Sequence, residues 1–182
     1  GAVYVSDSSS DLVLRLVDTD GDGDCNAPTD HVVWFDGGIG GNLSGVEMIS
    51  AQNVLWTPGD VLLVASANTS AGVDQIIRLE DLNGDGDAND AGEAVSIFEP
   101  LVGGAVGDSI VQDVRLGLDG ALYYLENGST GAIAKGVYRL VDGDGDGLYD
   151  PATEVAPFFI PPALATTPFH WQFHQGPDGT FY

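Results

Sequence analysis

Three stretches of this chain place carboxylate or amide side chains at alternate positions, a spacing that suits the binding of a metal cation. Counted from its first aspartate, each stretch has such residues at positions 1, 3 and 5 and a glycine at position 6. Alternating oxygen ligands followed by a turn-forming glycine allow a short loop to wrap around Ca²⁺. The candidate ligands are Asp18, Asp20, Asp22, Asp24 and Asp30 in the first loop, Asp81, Asn83, Asp85, Asp87 and Glu93 in the second, and Asp142, Asp144, Asp146, Leu148 and Glu154 in the third.

A closing acid follows in each loop at position 13, where Asp30, Glu93 and Glu154 stand. Positions 1 to 6 match the first half of an EF-hand loop, but the EF-hand closes at position 12. Position 7, which is Leu148 in the third loop, supplies a backbone carbonyl in loops of this kind. Because the flanking residues are rich in β-formers, we predict a loop between two strands rather than between two helices.

Calcium is the cation that this ligand set favours, and we expect about three ions, one for each loop. Magnesium accepts fewer protein oxygens because it demands an octahedral shell that retains water. Zinc would need cysteine and histidine ligands, which the loops do not offer. We expect the ions to have a structural role, because each would pin a hairpin turn whose carboxylates repel one another.

The loops belong to a longer internal repeat. An Arg-Leu pair precedes each loop, at Arg15, Arg78 and Arg139, so that one unit spans about sixty residues. Short runs of β-forming residues alternate with turn residues, and no long helical period is present, so we predict an all-β protein. We expect the three arginines to pair with acidic groups. A single domain is expected over residues 1–182, with units at approximately 1–45, 46–105 and 106–165, and with 166–182 starting or completing a further unit.

Each unit is predicted to contain four short antiparallel strands, which is the size of a β-propeller blade. In the third unit we expect strands at 109–116, 121–126, 136–141 and 154–159. The sequences Asp-Gly-Ala-Leu-Tyr-Tyr at 119–124 and Pro-Asp-Gly-Thr-Phe-Tyr at 177–182 resemble the second blade strand of secreted bacterial β-propellers with an Asp-rich calcium loop in each blade. The resemblance implies a β-propeller-like fold of about three four-stranded blades. A stacked β-solenoid is the alternative.

Three blades are too few to close a ring, and three explanations remain open. The chain could be a piece of a longer propeller, or two chains could close a six-bladed ring. Alternatively, the strand near His170 and His174 could complete the first blade of a neighbouring chain, which would give a head-to-tail homo-oligomer or filament. The repeat begins at the second strand of one unit and ends after the first strand of another, which favours such strand exchange.

The net charge of −23 limits the classes of partner. Nucleic acids and anionic membranes need a basic surface, so neither is an expected partner. No apolar run is long enough to span a membrane. Cys25 is the only cysteine, so no internal disulfide can form. Loops of modest calcium affinity suit the calcium-rich exterior of cells, and we therefore expect an extracellular or cell-surface protein.

An active site is not expected, although three residues are candidates. Asp113, His170 and His174 could approach a common face if they lie on innermost strands, but an ordinary half-buried strand explains their spacing equally well. The chain has no nucleophile elbow, zinc-protease motif or phosphate-binding glycine loop. The leading hypothesis is a calcium-binding structural or adhesive scaffold with a protein or carbohydrate surface as partner.

Two alternative functions remain. One is a fragment of a calcium-dependent propeller hydrolase, similar to phytases or lactonases. The other is a carbohydrate-binding module, which would need exposed tryptophans. Trp34, Trp56 and Trp171 stand in apolar strand contexts, so we expect each of them to pack in a core.

Overall fold

The computed structural model describes residues 1–48, 50–67, 74–100, 109–128, 133–161 and 172–182. These residues form eleven β-strands and no helix, which confirms the all-β prediction. Trp171 and the candidate His170 lie outside the described residues. The strands are β1 (Val3–Asp7), β2 (Leu12–Leu16), β3 (His31–Asp36), β4 (Ala51–Thr57), β5 (Val61–Ser66), β6 (Gln75–Leu79), β7 (Ala94–Phe98), β8 (Val111–Leu116), β9 (Leu122–Glu126), β10 (Gly136–Leu140) and β11 (Val155–Phe159).

The strands form three antiparallel sheets, and each sheet follows the chain order. The first sheet is β1-β2-β3, the second is β4-β5-β6-β7 and the third is β8-β9-β10-β11. The first sheet has one strand fewer, and its β1 aligns with the second strands β5 and β9 of the other sheets. Successive strands therefore pair through local hairpins, which need no long crossover connection.

A register shift occurs at the same place in every sheet. It lies between the last two strands and falls at Val13/Leu14 in the first sheet, Ile76/Ile77 in the second and Val137/Tyr138 in the third. A bulge of this kind bends a strand and increases its twist. The last strand of each sheet therefore leaves its partner in a similar way, and this strand carries the end of the acidic loop.

The second sheet lies between the other two and is buried on both faces. Alternate residues of β5 point to opposite sides, because side chains alternate along a strand. Leu62 and Val64 belong to a core shared with the first sheet, which contains Val13 and Phe35. Residues Leu63 and Ala65 contribute to a second core shared with the third sheet. The continuous apolar run of β5 is explained by this double burial.

Residues 172–182 cover the outer face of the third sheet. Phe173 is buried there against Tyr123 and Leu125, and Phe181 packs on the same cluster. The segment turns back on itself, since the backbone N–H groups of His174 and Tyr182 each donate to the carbonyl of the other residue, at 3.1 and 2.8 Å. The stack of sheets thus continues beyond β11 with the beginning of a further hairpin.

Candidate metal centres

Each acidic loop connects the last two strands of one sheet. The base of the first loop is closed by a backbone hydrogen bond from Val17 N to the Asp30 carbonyl, at 2.7 Å. The second loop is closed in the same way by Glu80 N and the Glu93 carbonyl at 2.9 Å. The third is closed by Val141 N and the Glu154 carbonyl at 3.0 Å. The strand-loop-strand arrangement agrees with the prediction made from the flanking sequences.

The first aspartate of each loop holds the turn that follows it. In the first loop, Asp18 Oδ1 accepts a hydrogen bond from Gly21 N at 2.6 Å, and Asp18 Oδ2 accepts one from Gly23 N at 3.0 Å. Gly23 has a φ of +93°, a left-handed conformation that glycine adopts without strain. The same two distances recur between Asp81 and Gly84 and Gly86, and between Asp142 and Gly145 and Gly147.

Two of the loops gather three carboxylates within reach of one ion. Oxygen atoms of Asp18, Asp20 and Asp22 all lie within 4.8 Å of one another, and these side chains are exposed. The equivalent residues of the third loop, Asp142, Asp144 and Asp146, form a second such triad. Each triad could hold a metal ion, because carboxylate oxygens at this separation can share one hard cation.

The second loop differs because an asparagine stands at position 3. Its amide nitrogen, Asn83 Nδ2, donates to Asp85 Oδ2 at 3.2 Å and to Asp90 Oδ2 at 2.5 Å. The amide oxygen accepts a hydrogen bond from Asp85 N at 2.8 Å. The amide therefore bridges two carboxylates that would otherwise repel each other, and this loop carries less charge at its centre than the other two.

The closing acids tie the two ends of each loop together. Glu93 is 2% exposed and accepts backbone hydrogen bonds from Leu82, Asn83 and Asp90, at 2.9, 3.3 and 2.9 Å. Glu154 accepts them from Gly143 and Asp150, at 2.6 and 2.9 Å.

The Asp30 carboxylate likewise accepts backbone hydrogen bonds from Thr19 and Ala27, at 3.0 Å each. The side-chain and backbone hydrogen bonds from Thr19 lower the pKa of this carboxyl group. The sequence suggested these acids as ligands, and the structure places their oxygens on backbone donors of the loop. A direct contact with an ion stays a prediction.

Position 7 also takes part in the hydrogen bonding of the loops. Asp24 Oδ1 accepts a hydrogen bond from Asn26 N at 2.9 Å, and Asp87 Oδ1 accepts one from Asn89 N at 2.9 Å. Leu148, which has no polar side chain, donates its N–H to Asp146 Oδ1 at 2.8 Å. The side chains at this position brace the loop, and their backbone carbonyls remain the candidate ligands.

The tip of a loop also contacts the sheet before it. At position 8 of the second loop, Ala88 N donates to the carbonyl of Trp34 in the first sheet, at 2.7 Å. At the same position of the third loop, Tyr149 N donates to the carbonyl of Ile97 in the second sheet, at 2.8 Å. Asn89 adds a side-chain hydrogen bond from Asp36 N at 2.8 Å. The loops therefore link neighbouring sheets as well as neighbouring strands.

Both carboxylate oxygens of the catalytic candidate Asp113 have partners in the structure. Its Oδ1 accepts a hydrogen bond from Val114 N at 2.9 Å, and its Oδ2 accepts one from Phe173 N at 3.0 Å and lies 3.2 Å from the Arg115 guanidinium. Arg115 also donates to the Phe173 carbonyl at 3.0 Å. Burial raises the pKa of Asp113, and these partners oppose that shift. His174 is exposed, and the contacts around Asp113 fasten the C-terminal segment to the third sheet.

The tryptophans and arginines meet the sequence expectations in part. Trp34 is buried as predicted, but Trp56 is 47% exposed, so the prediction that it lies in a core is wrong. The reason is that Trp56 lies near the end of an edge strand, where Tyr4 of the first sheet packs on only one side of its ring. Of the three repeated arginines, Arg139 forms an ion pair with Asp119 at 2.7 Å, whereas Arg15 and Arg78 have no acidic partner among the described residues.

Comparisons with protein-family models, curated proteins and solved structures found no match to this chain. Within the described ranges, no helix has the length and hydropathy needed to cross a membrane. The fold and the loops define a class: an all-β protein of stacked antiparallel sheets, with acidic hairpin loops of which two contain carboxylate triads that could hold a metal ion.

Proposed function

We propose that this chain is a calcium-stabilised structural scaffold of β-propeller-like organisation that works outside the cell. The observation that carries the proposal is the double role of the acidic loops. Each loop concentrates carboxylates, and the second and third loops also donate a backbone hydrogen bond to the preceding sheet. An ion that fixes the loop would therefore fix the contact between two sheets.

The carboxylates of each loop lie close together at the turn. Without a cation, three or more negative groups crowd each turn and repel one another, which favours opening of the loop. A bound Ca²⁺ reverses this repulsion and adds oxygen coordination. At a free calcium level about 100 times the dissociation constant, each occupied site adds about 2.7 kcal/mol to the free energy of unfolding. Extracellular calcium reaches the range in which loops of modest affinity fill.

The test of this proposal is a calcium titration by calorimetry combined with thermal unfolding in calcium and in EDTA. We expect saturable calcium uptake, weaker uptake of magnesium, and a lower melting temperature in EDTA. Asp20→Ala and Asp144→Ala should each remove one binding event, because each takes one carboxylate from a triad and leaves no side-chain oxygen at that position. Asp178→Ala is the matched control, because Asp178 is an exposed turn aspartate outside the loops. An unchanged melting temperature in EDTA, with no heat of binding, contradicts the proposal.

We further propose that the stack of sheets extends through a second copy of the chain. The outer face of the first sheet carries the cross-strand row Val5, Leu14 and Val33, and both valines are exposed. At the other end, Phe158 and Phe159 of the third sheet are about half exposed. Apolar surface at both ends of a stack favours head-to-tail association, since burial of this surface is favourable.

The hydrogen bonds between sheets support the same arrangement. Position 8 of the first loop is Cys25, and its N–H has no acceptor among the described residues. Phe158 is the third-sheet equivalent of the residues that accept these bonds, Trp34 and Ile97. A head-to-tail contact would let Cys25 of one copy donate to Phe158 of the next. The two ends therefore offer a matching donor and acceptor as well as matching apolar surfaces.

Light scattering across a concentration series, with calcium present, tests this association. We expect the mass to increase with concentration. Cys25→Pro removes the N–H and should weaken the association, whereas Cys25→Ala retains the N–H and should not. A monomer at the highest concentration contradicts the assembly proposal but leaves the calcium proposal intact. The hydrolase alternative receives no support from the described residues, because backbone donors and Arg115 occupy the carboxylate of Asp113.

A further inference from the structure

A cavity of about 820 Å³ opens between the first and second sheets, beside the second acidic loop. Its walls include three aromatic residues, Tyr4, Trp34 and Trp56, and four charged residues. The charged residues are Arg15, Asp60, Glu80 and Asp81, the last of which is the first residue of the second acidic loop. This volume lies in the range of about 300–1,000 Å³ that is typical of small-molecule sites in proteins. The cavity is separate from the carboxylate triads of the first and third loops.

The aromatic wall forms a stacking surface. The ring centroids of Tyr4 and Trp56 are 5.0 Å apart with an interplanar angle of 30°, so the tyrosine supports the indole from one side. Tyr4 also meets Trp34 edge to face, at 5.2 Å and 81°. Trp56 is 47% exposed, so part of its indole remains open to a ligand. An exposed indole held in place by a second ring can stack on an apolar ring face at a small entropic cost.

The polar groups of the cavity have unused hydrogen-bonding capacity. The side chains of Arg15, Asp60 and Glu80 have no hydrogen-bond or ion-pair partner among the described residues. A ligand in the cavity could therefore exchange hydrogen bonds with these side chains without displacing an existing partner.

The mixture of charges selects the class of ligand. A simple cation would suit the aromatic rings and the acids but would offer no hydrogen-bond acceptor to Arg15. A simple anion would suit Arg15 but would be repelled by Asp60, by Glu80 and by the adjacent loop. A neutral sugar avoids both problems, because its hydroxyls donate to carboxylates and accept from a guanidinium. Its C–H face can also stack on an indole. We propose that this cavity binds a neutral saccharide, with Trp56 as the stacking surface.

The cavity shares Asp81 and Gly86 with the second acidic loop, whereas its aromatic wall and Arg15 belong to strands. The test is therefore performed with the full chain in excess calcium, and folding of every variant is checked by thermal unfolding. The probes are glucose, galactose, mannose, N-acetylglucosamine and their β-linked disaccharides. Tetramethylammonium and glucuronate serve as charged comparison ligands. Tryptophan fluorescence and ligand-observed NMR report binding.

We expect at least one neutral sugar to bind with a dissociation constant on the order of 1 mM, and more tightly than either charged ligand. Trp56→Ala should weaken this binding about tenfold or more, whereas Trp56→Phe should retain part of it. Arg15→Met keeps the apolar stem and should weaken binding about fivefold. Tyr182→Ala is the control, because Tyr182 is an aromatic residue that is 76% exposed and lies outside the cavity.

Three results would overturn the inference. One is the absence of binding by every sugar at concentrations up to about 50 mM. Another is preferential binding of tetramethylammonium or of glucuronate, which would assign the cavity to an ion. The third is sugar binding that Trp56→Ala and Tyr182→Ala weaken equally, since the cavity would then not be the site.

Discussion

The second strand of the third sheet ends in a buried glutamate that makes stability depend on pH. Glu126 is 0% exposed, and its carboxylate accepts hydrogen bonds from Ser109 Oγ at 2.6 Å, Ile110 N at 2.8 Å and Gly128 N at 2.7 Å. Burial nevertheless dominates and raises the pKa of Glu126 from 4.5 to about 7. The folded protein therefore holds a proton on this side chain over a pH range in which the unfolded chain has lost it.

The sign of the effect follows from proton linkage. Because the pKa is higher in the folded state, folding takes up a proton between the two pKa values, and stability falls as the pH rises through this range. The stabilisation is complete below the unfolded pKa and is lost above the folded pKa. A difference of about 2.5 pKa units corresponds to about 3.4 kcal/mol in total. Between about pH 5 and pH 8.5, this contribution decreases by about 2.5 kcal/mol.

Glu126→Gln is a suitable perturbation, because it removes the charge and can keep every hydrogen bond. Ile110 N and Gly128 N both donate to Oε1, which glutamine retains as its amide oxygen. The amide nitrogen takes the place of Oε2 and can donate to Ser109 Oγ, which accepts as readily as it donates. We expect the free energy of unfolding of the variant, relative to the natural chain, to rise by about 2.5 kcal/mol from about pH 5 to pH 8.5.

The assay is urea unfolding of both proteins at several pH values, with calcium kept in excess throughout. The difference between the two proteins cancels the titration of the other acids, which both share. In thermal unfolding, the expected change in the melting temperature difference is about 5–10 °C. A difference that does not vary with pH, or a variant that becomes relatively less stable at high pH, would refute the reasoning.

Three further predictions concern the contacts of other acids. Glu93→Ala leaves three backbone donors without an acceptor and should lower the free energy of unfolding, measured in urea, by about 3 kcal/mol. The control Glu80→Ala should change it by less than about 0.5 kcal/mol, and equal effects would contradict the bridging role of Glu93. Asp113→Ala should accelerate hydrogen exchange of the C-terminal segment, and unchanged exchange would show that the ion pair does not hold it. Arg139→Met should lower the melting temperature by less than about 2 °C, because the ion pair with Asp119 is exposed. NMR should show a rise in the pKa of Asp119, because the hydrogen bond from Arg139 lowers that pKa, and a constant pKa would refute this cause.

The strands were predictable because their signals are local. In the third unit, the sequence predicted strands at 109–116, 121–126, 136–141 and 154–159, and the structure has β8 to β11 within two residues of each of these bounds. Alternating apolar residues and turn residues between them were sufficient, since each hairpin depends on neighbouring residues. The hairpin nature of the acidic loops was predictable for the same reason, from the β-rich residues on either side.

The contacts of individual acids were not predictable in this way. The spacing indicated that Glu93 belongs to the loop, but several backbone donors compete with a cation for its carboxylate, and sequence does not rank them. The partner of Arg139 is Asp119 in a turn of the same sheet, rather than an acid of a loop or a neighbouring unit. Such choices depend on the direction of each side chain after the strands have paired.

The open cavity and the burial of Glu126 could not be predicted without knowing how the sheets stack. Trp56 has an apolar neighbourhood in the sequence, and only the position of β4 relative to the first sheet leaves its indole exposed. Glu126 reads as a polar residue at the end of a strand, where exposure is the ordinary expectation. The repeated Arg-Leu pair was the sequence signal that pointed toward Arg15, and it did not identify the aromatic wall.

The position 8 hydrogen bonds have a consequence for how such a chain could change length in evolution. Ala88 and Tyr149 make the same bond to successive sheets, so the second sheet both donates one such bond and accepts one. A duplicated unit inserted between two others would therefore inherit a complete junction on both sides without new mutations. This geometry permits the chain to lengthen by duplication of whole units. Insertion of part of a unit would leave one sheet without its hydrogen bond to the neighbouring sheet.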